Sequence, residues 1–227
     1  NQENLIHIIN HQIKGYLAKS RSIFSELITN DHYGPVTEPA RNMMTEGFYS
    51  LTEGVKFAEQ ILNSSNIESS AMQYDMKTFD LEPIIKEAVF SNKVAADNRN
   101  LELNLNINLG DYNIKGDQIQ LSEAIKNLVD NSIRYTQKGS INIDAQRKEH
   151  SVLISIKDTG VGIKEEDRAK LFTKGGRGKD SLKINVNSTG YGLFFVKKVI
   201  EAHNGKVWVE SEGEGKGSTF FIELPTN

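Results

Sequence analysis

Apolar residues recur early in the chain at Ile6, Ile9, Ile13, Tyr16, Ile23 and Leu27, with Ser20 in the remaining slot of a 3-4 spacing. That spacing predicts one long helix with a seam for packing against other helices. The run Asp31-His32-Tyr33-Gly34-Pro35 breaks it, and Thr37 followed by Pro39 starts a second helix. Met44, Phe48, Leu51, Val55, Ala58 and Leu62 repeat the spacing along that helix, so the two form a hairpin. A lone hairpin has one apolar stripe per helix and little core, which predicts pairing with a second copy into a four-helix bundle. The pattern changes near Gln73, dividing a hairpin at 1–72 from a mixed α/β part at 76–227.

The second part opens with a short strand from Met76 to Phe79, and Asp80 is expected to cap a helix with Pro83 in its first turn. Leu101, Leu103, Leu105 and Ile107 alternate as a strand, and two more run from Ser140 to Gln146 and from Ser151 to Lys157. A short helix is expected over 165–172. Residues 173–189, rich in Gly, Lys, Asn and Ser without periodicity, read as a long binding loop. A helix follows Gly190-Tyr191-Gly192-Leu193 and ends at Gly205, before closing strands near 206–211 and 219–224.

The helix from Glu123 to Thr136 has an uncommon polar side. At roughly 100° per residue, Glu123, Asn127, Asn131 and Arg134 fall within about 80° of arc, opposite Leu121, Ile125, Leu128 and Ser132. Asn forms helix poorly because its amide competes for backbone hydrogen bonds, so two of them spaced i,i+4 ask for a reason beyond solvation. One reading is a plain solvated face. The other is a site for a hydrated divalent cation and phosphates, with amide oxygen as a hard ligand and Arg134 as counter-charge.

Three glycine-bearing segments bear on the choice. Asp158 precedes Gly160 and Gly162 at a strand end, where backbone can approach a ligand closely and a carboxylate can accept from an exocyclic amine. Gly190 and Gly192 stand at a helix start, which suits phosphate oxygens. Gly215-x-Gly217-Ser218-Thr219-Phe220 leads into the last strand.

In this order the four segments resemble the ATP-binding domain of sensor histidine kinases. The N box is matched at Glu123 to Thr136, the first glycine box at Asp158 to Ile163, and the second at Gly190 to Leu193. Asn10-His11-Gln12-Ile13-Lys14-Gly15-Tyr16-Leu17 is similar to the family's phospho-acceptor box, with His11 at the acceptor position. The resemblance implies an α+β chain: a dimeric four-helix bundle followed by an α/β sandwich of the Bergerat type. It implies Mg²⁺ on Asn127 and phosphates on Asn131 and Arg134. Tyr135 would lie near the nucleoside and Asp158 would read adenine, with Glu123, Gly160, Gly162 and Leu193 in the ATP-binding set. Arg177 and Lys179 are candidates for the γ-phosphate. Neutral His11 would attack ATP, and a response-regulator receiver domain would take the phosphoryl group.

Departures from the family pattern carry expectations of their own. Gln12 replaces the usual acid, leaving an amide oxygen to hold the other ring N–H of His11. Gly15 stands where the family often has Thr or Asn, which implies weak phosphatase action on the partner. Tyr16 replaces Pro, and Gly175-Gly176 replaces a second aromatic of the lid. Two other classes remain open: an ATPase of the same superfamily with Glu123 activating water, and a pseudokinase scaffold that binds nucleotide without transfer.

Composition narrows the surroundings. The 227 residues are 25% charged and 37% hydrophobic, with net charge −3, so no basic field points to nucleic acid. Zero Cys excludes disulfides and thiolate metal sites and suits a reducing compartment. The sequence starts without Met, and no apolar run reaches the ~18 residues of a membrane span. It therefore reads as a cytoplasmic fragment, attached to any membrane only through segments absent from it.

Overall fold

The computed structural model describes residues 2–30, 32, 34–68, 73–174, 176 and 191–226, and no side-chain placement for 2–11, 53, 56–57 and 59–68. Two compact units emerge, Asn1–Met72 and Gln73–Asn227.

The first unit is a hairpin of α1 (Gln2–Thr29) and α2 (Glu38–Glu68). Pro39 sits in the first turn of α2, where its missing N–H has no helical partner to lose. The helices run antiparallel. Gly47 faces the Phe24 ring, Gly54 faces Leu17, and Arg41 Nη1 donates to the Ile28 carbonyl at 2.9 Å. Contact with α2 thus uses Leu17, Phe24 and Ile28, while Ile13, Tyr16 and Ile23 of the expected seam are 44%, 72% and 52% exposed.

The second unit is a five-stranded sheet covered on one face by helices. In chain order it contains β1 (Lys77–Asp80), α3 (Glu82–Asp97), β2 (Leu101–Ile107), β3 (Asn113–Gly116) and α4 (Gln118–Tyr135). There follow β4 (Gly139–Arg147), β5 (Ser151–Asp158), α5 (Glu165–Arg168), α6 (Gly192–Ala202), β6 (Lys206–Glu210) and β7 (Ser218–Pro225). The sheet order is β2-β4-β5-β7-β6, parallel only between β2 and β4, and β1 pairs with β3 in a separate antiparallel ribbon.

Alternation drives the layering. Ile141, Ile143, Val152, Ile154, Ile156, Ile222 and Leu224 point inward and are almost fully buried. They pack under Ile84 and Ile85 of α3, Leu121, Ile125 and Leu128 of α4, and Val196, Val199 and Ile200 of α6. Each such side chain contributes about 1.5–3 kcal/mol through burial. The other sheet face is polar on one side, where Asn104 donates to Asn142 and Asn106 to Asp144, both at 3.1 Å.

Three sequence expectations shift. The N-cap of α3 is Leu81, fully buried, and Asp80 steadies the start from one residue earlier by accepting the Glu82 N–H at 3.0 Å. The helix expected over 165–172 is only one turn, Glu165–Arg168, followed by turns. Strand β3 was not expected, since Ile114 is its one large apolar residue and sets no alternation.

Candidate functional site

Helix α4 is held at both ends. Asp117 caps it, with Oδ1 accepting the N–H groups of Ile119 and Gln120 at 3.0 and 3.1 Å. At the other end Arg99 Nη1 donates to the Ile133 and Arg134 carbonyls at 3.3 and 3.2 Å. Leu121, Ala124, Ile125, Leu128, Val129, Ser132 and Ile133 form its buried side. Glu123 is exposed on the opposite side, and Asn127, Asn131, Arg134 and Tyr135 are half-buried.

The Asn127 amide is oriented. Its Nδ2 donates to the Glu123 carbonyl at 3.1 Å and lies 3.4 Å from Glu123 Oε1, which turns Oδ1 toward the start of α6. There it meets Gly192: a Cβ at that position would stand 3.0 Å from Asn127 Oδ1. The Asn127 face of α4 and the start of α6 are therefore in contact, and a Cβ at Gly192 would require the Asn127 amide to give by a few tenths of an ångström. Arg134 pairs with Asp130 at 3.2 Å, a partner that the sequence reading left out.

Asp158 ends β5 only 3% exposed. Its Oδ1 accepts the N–H groups of Gly160 at 2.9 Å and Ser218 at 3.3 Å, and its Oδ2 accepts the Ser218 hydroxyl at 2.6 Å. Burial pushes this carboxyl above the usual range, against the pull of the Ser218 hydroxyl and the two backbone N–H groups. Ser218 was read only as part of a glycine motif; a hydroxyl next to Gly217 gives no signal of what it touches.

The loops after β5 and before β7 are laced together. Gly217 N donates to the Gly160 carbonyl at 3.1 Å, Gly215 N to Val161 at 2.7 Å, and Ile163 N to Ser211 Oγ at 3.0 Å. Gly162 takes φ +69° there, and a Cβ would run into the Gly213 carbonyl. Val161 N donates to the Tyr135 carbonyl at 3.1 Å, which joins the end of α4 to the same loop.

Leu193 lies half-buried in the first turn of α6. Arg177, Lys179 and Gly190 fall outside the described residues. His11 lies within α1, its side chain outside the description, and Gln12 is exposed on the same helix. Among the described residues, no group of three or more His, Cys, Asp or Glu could hold a metal ion by itself. Mg²⁺ carried on phosphates needs only one or two protein oxygens, and the tethered Asn127 amide fits that role. No described helix is long and apolar enough to cross a membrane.

A helix-covered sheet, laced glycine loops, a buried acceptor carboxylate and an amide-bearing helix against a glycine helix start together form one candidate site in the second unit. Residues 116–227 match the family of histidine kinase-, DNA gyrase B- and HSP90-like ATPases. Sensor-like histidine kinase SenX3 of Mycobacterium tuberculosis is 34% identical over 185 residues, covering 75% of this chain and 45% of SenX3. The solved structure of full-length ShkA in complex with AMPPNP has a TM-score of 0.75 at 21% identity, covering 98% of this chain and 44% of that one. Histidine kinase ThkA, solved with the response regulator protein TrrA, has a TM-score of 0.64 at 21% identity, covering 96% and 61%. Residues 116–227 belong to this ATPase family, and the chain is similar to sensor histidine kinases. It spans about half the length of the curated relatives it matches.

Proposed function

We propose that the chain binds Mg-ATP through its second unit, moves the γ-phosphoryl group to His11 and passes it to an aspartate of a response-regulator receiver domain. The observation that carries this reading is Asn127 and Gly192 in contact, in a unit that also buries Asp158 with its carboxylate held by Ser218 and Gly160.

Each residue has a task. Asp158 accepts from the adenine amine, since its oxygens keep lone pairs beyond those Ser218 and Gly160 engage. Tyr135 lies along the nucleoside, with Leu193, Gly160 and Gly162 shaping the same pocket. Asn131, Arg134, Gly190 and Gly192 take phosphate oxygens, and Arg177 and Lys179 neutralise the γ-phosphate. Asn127 holds Mg²⁺ through Oδ1, with Glu123 fixing the amide. Mg²⁺ supplies counter-charge to the phosphates in a transfer where positioning and electrostatics do most of the work.

Neutral His11 attacks through one ring nitrogen while Gln12 holds the N–H of the other. The N–P bond forms as the bond from the γ-phosphorus to the bridging oxygen breaks, and ADP leaves with that electron pair. Gly15 offers no side chain to place water against the phosphorylated partner, so phosphatase action is weak. The response-regulator step is supported by ThkA, whose solved complex contains one. A homodimer is supported by the exposed Ile13, Tyr16 and Ile23 along α1. A reaction that uses ATP and a receiver domain is in keeping with a cytoplasmic setting.

Incubation with γ-labelled Mg-ATP tests the proposal. The wild type acquires an acid-labile, alkali-stable label, and His11→Ala and Asn127→Ala do not. A label that survives in His11→Ala overturns the acceptor. Gln12 in place of an acid and Gly15 favour a second reading, a scaffold that binds Mg-ATP without transfer. It predicts binding and no label, whereas phosphate release without labelling indicates a water-activating ATPase.

A further inference from the structure

His203 closes α6 and is 2% exposed, yet no task at the nucleotide site falls to it. Its Nδ1 lies 2.7 Å from the Val199 carbonyl, which can only accept, so Nδ1 carries the proton. Its Nε2 accepts the Asp117 N–H at 2.8 Å. Both bonds specify the same neutral tautomer.

Asp117 gives that bond its reach. As N-cap of α4 it uses Oδ1 for the helix, while Oδ2 accepts the Asp75 N–H at 3.0 Å. Tyr74 sets its ring edge-on to His203, centroids 5.5 Å apart at 84°. One imidazole thus joins the end of α6, the start of α4 and the first residues of the second unit. Because α4 and α6 run antiparallel, His203 meets Asp117 at the start of α4, and the opposite end of α6, at Gly192, meets Asn127 near the middle of α4. The fit is close: a Cβ on Gly116 would come within 2.6 Å of the His203 ring.

We propose that His203 is a positioning residue for the nucleotide site, its ring lone pair holding α6 in the register on α4 that brings Gly192 against Asn127. This rests on the nucleotide-binding reading above. Protonation of Nε2 would set one N–H against another and break the bond. Burial pushes the imidazole below the usual histidine range, while the Val199 carbonyl and the Asp117 carboxylate pull the other way. The other titratable groups nearby are the Tyr74 phenol, the Asp75–Lys77 pair at 2.6 Å, and Glu201 on the same helix.

The test uses the full chain and Mg-ADP binding by titration calorimetry, with His203→Gln, which can present an amide oxygen to Asp117 N–H, and His203→Phe, which fills the space without an acceptor. At about pH 8, His203→Phe should bind roughly tenfold more weakly than wild type and His203→Gln within about threefold. As the pH falls through the titration of the His203 ring, followed by NMR on the same sample, the wild type should lose affinity relative to His203→Gln, and the nucleotide's own titration cancels in that ratio. A Phe variant that binds like wild type, a Gln variant as weak as Phe, or parallel pH profiles overturns the role of His203. Wild type that fails to bind Mg-ADP overturns the nucleotide reading itself. Should His203→Phe not fold, NMR of the wild type decides: the His203 ring nitrogens and the amides of Asp117 and Gly192 should titrate with one midpoint below about 6.5. A Gly192 amide that ignores that titration overturns the proposal.

Discussion

Asp158 shows at the scale of one residue how a binding group is kept at a cost to folding. Its buried carboxyl is shifted upward mainly by desolvation, so the folded chain holds that proton more tightly than the unfolded one. The sign follows from linkage: Asp158's contribution is most favourable below the unfolded value of 3.8 and declines as pH rises through the higher folded value. Asn in its place keeps an acceptor for Gly160 and removes the charge. Asp158→Asn should therefore raise the thermal midpoint near neutral pH by ~2–4 °C, the gain should vanish in acid, and Mg-ADP binding should be lost. Calorimetric melting at several pH values checks the first two, and titration with Mg-ADP the third. The Asp and its two glycines could be read from the chain, whereas the Ser218 hydroxyl that holds Oδ2, 60 residues away, could not.

Helix α4 carries most of the site, and its ends are secured by residues from elsewhere as well as its own. The last-turn carbonyls of any helix lack intrahelical donors, and Arg99, at the turn between α3 and β2, supplies them at Ile133 and Arg134. Arg99→Ala should cost about 0.5–1 kcal/mol, less at high salt, read as a lower urea midpoint, while Arg99→Lys recovers part of it. The face of α4 was legible because helical period alone separates Asn127 and Asn131 from Leu128 and Ser132. Strand β3 was not, since a single large apolar residue, Ile114, sets no alternation and its partner β1 lies far back in the chain. Asp80 was placed one position off as a cap because side-chain chemistry cannot distinguish an N-cap from the residue before it when the cap itself is a buried leucine.

For the whole molecule, the hairpin leaves part of its apolar stripe uncovered. Exposed Ile13, Tyr16 and Ile23 favour a second copy of the chain against α1. The wild type should sediment as a dimer, and Ile13→Asp with Ile23→Asp should yield a monomer that still binds Mg-ADP through the other unit. A monomeric wild type in analytical ultracentrifugation would refute that expectation.

What the chain determined by itself is local: two helices with apolar stripes, an amide-bearing helix face, and glycines where backbone must bend or be approached. Those properties depend on residues a few positions apart, so periodicity and side-chain type are enough to display them. The meetings of Gly192 with Asn127, Ser218 with Asp158, and His203 with Asp117 were decided only by tertiary structure. They come from strand register and from how helices seat on a shared core, and those follow from close packing of the whole unit, which no short stretch encodes.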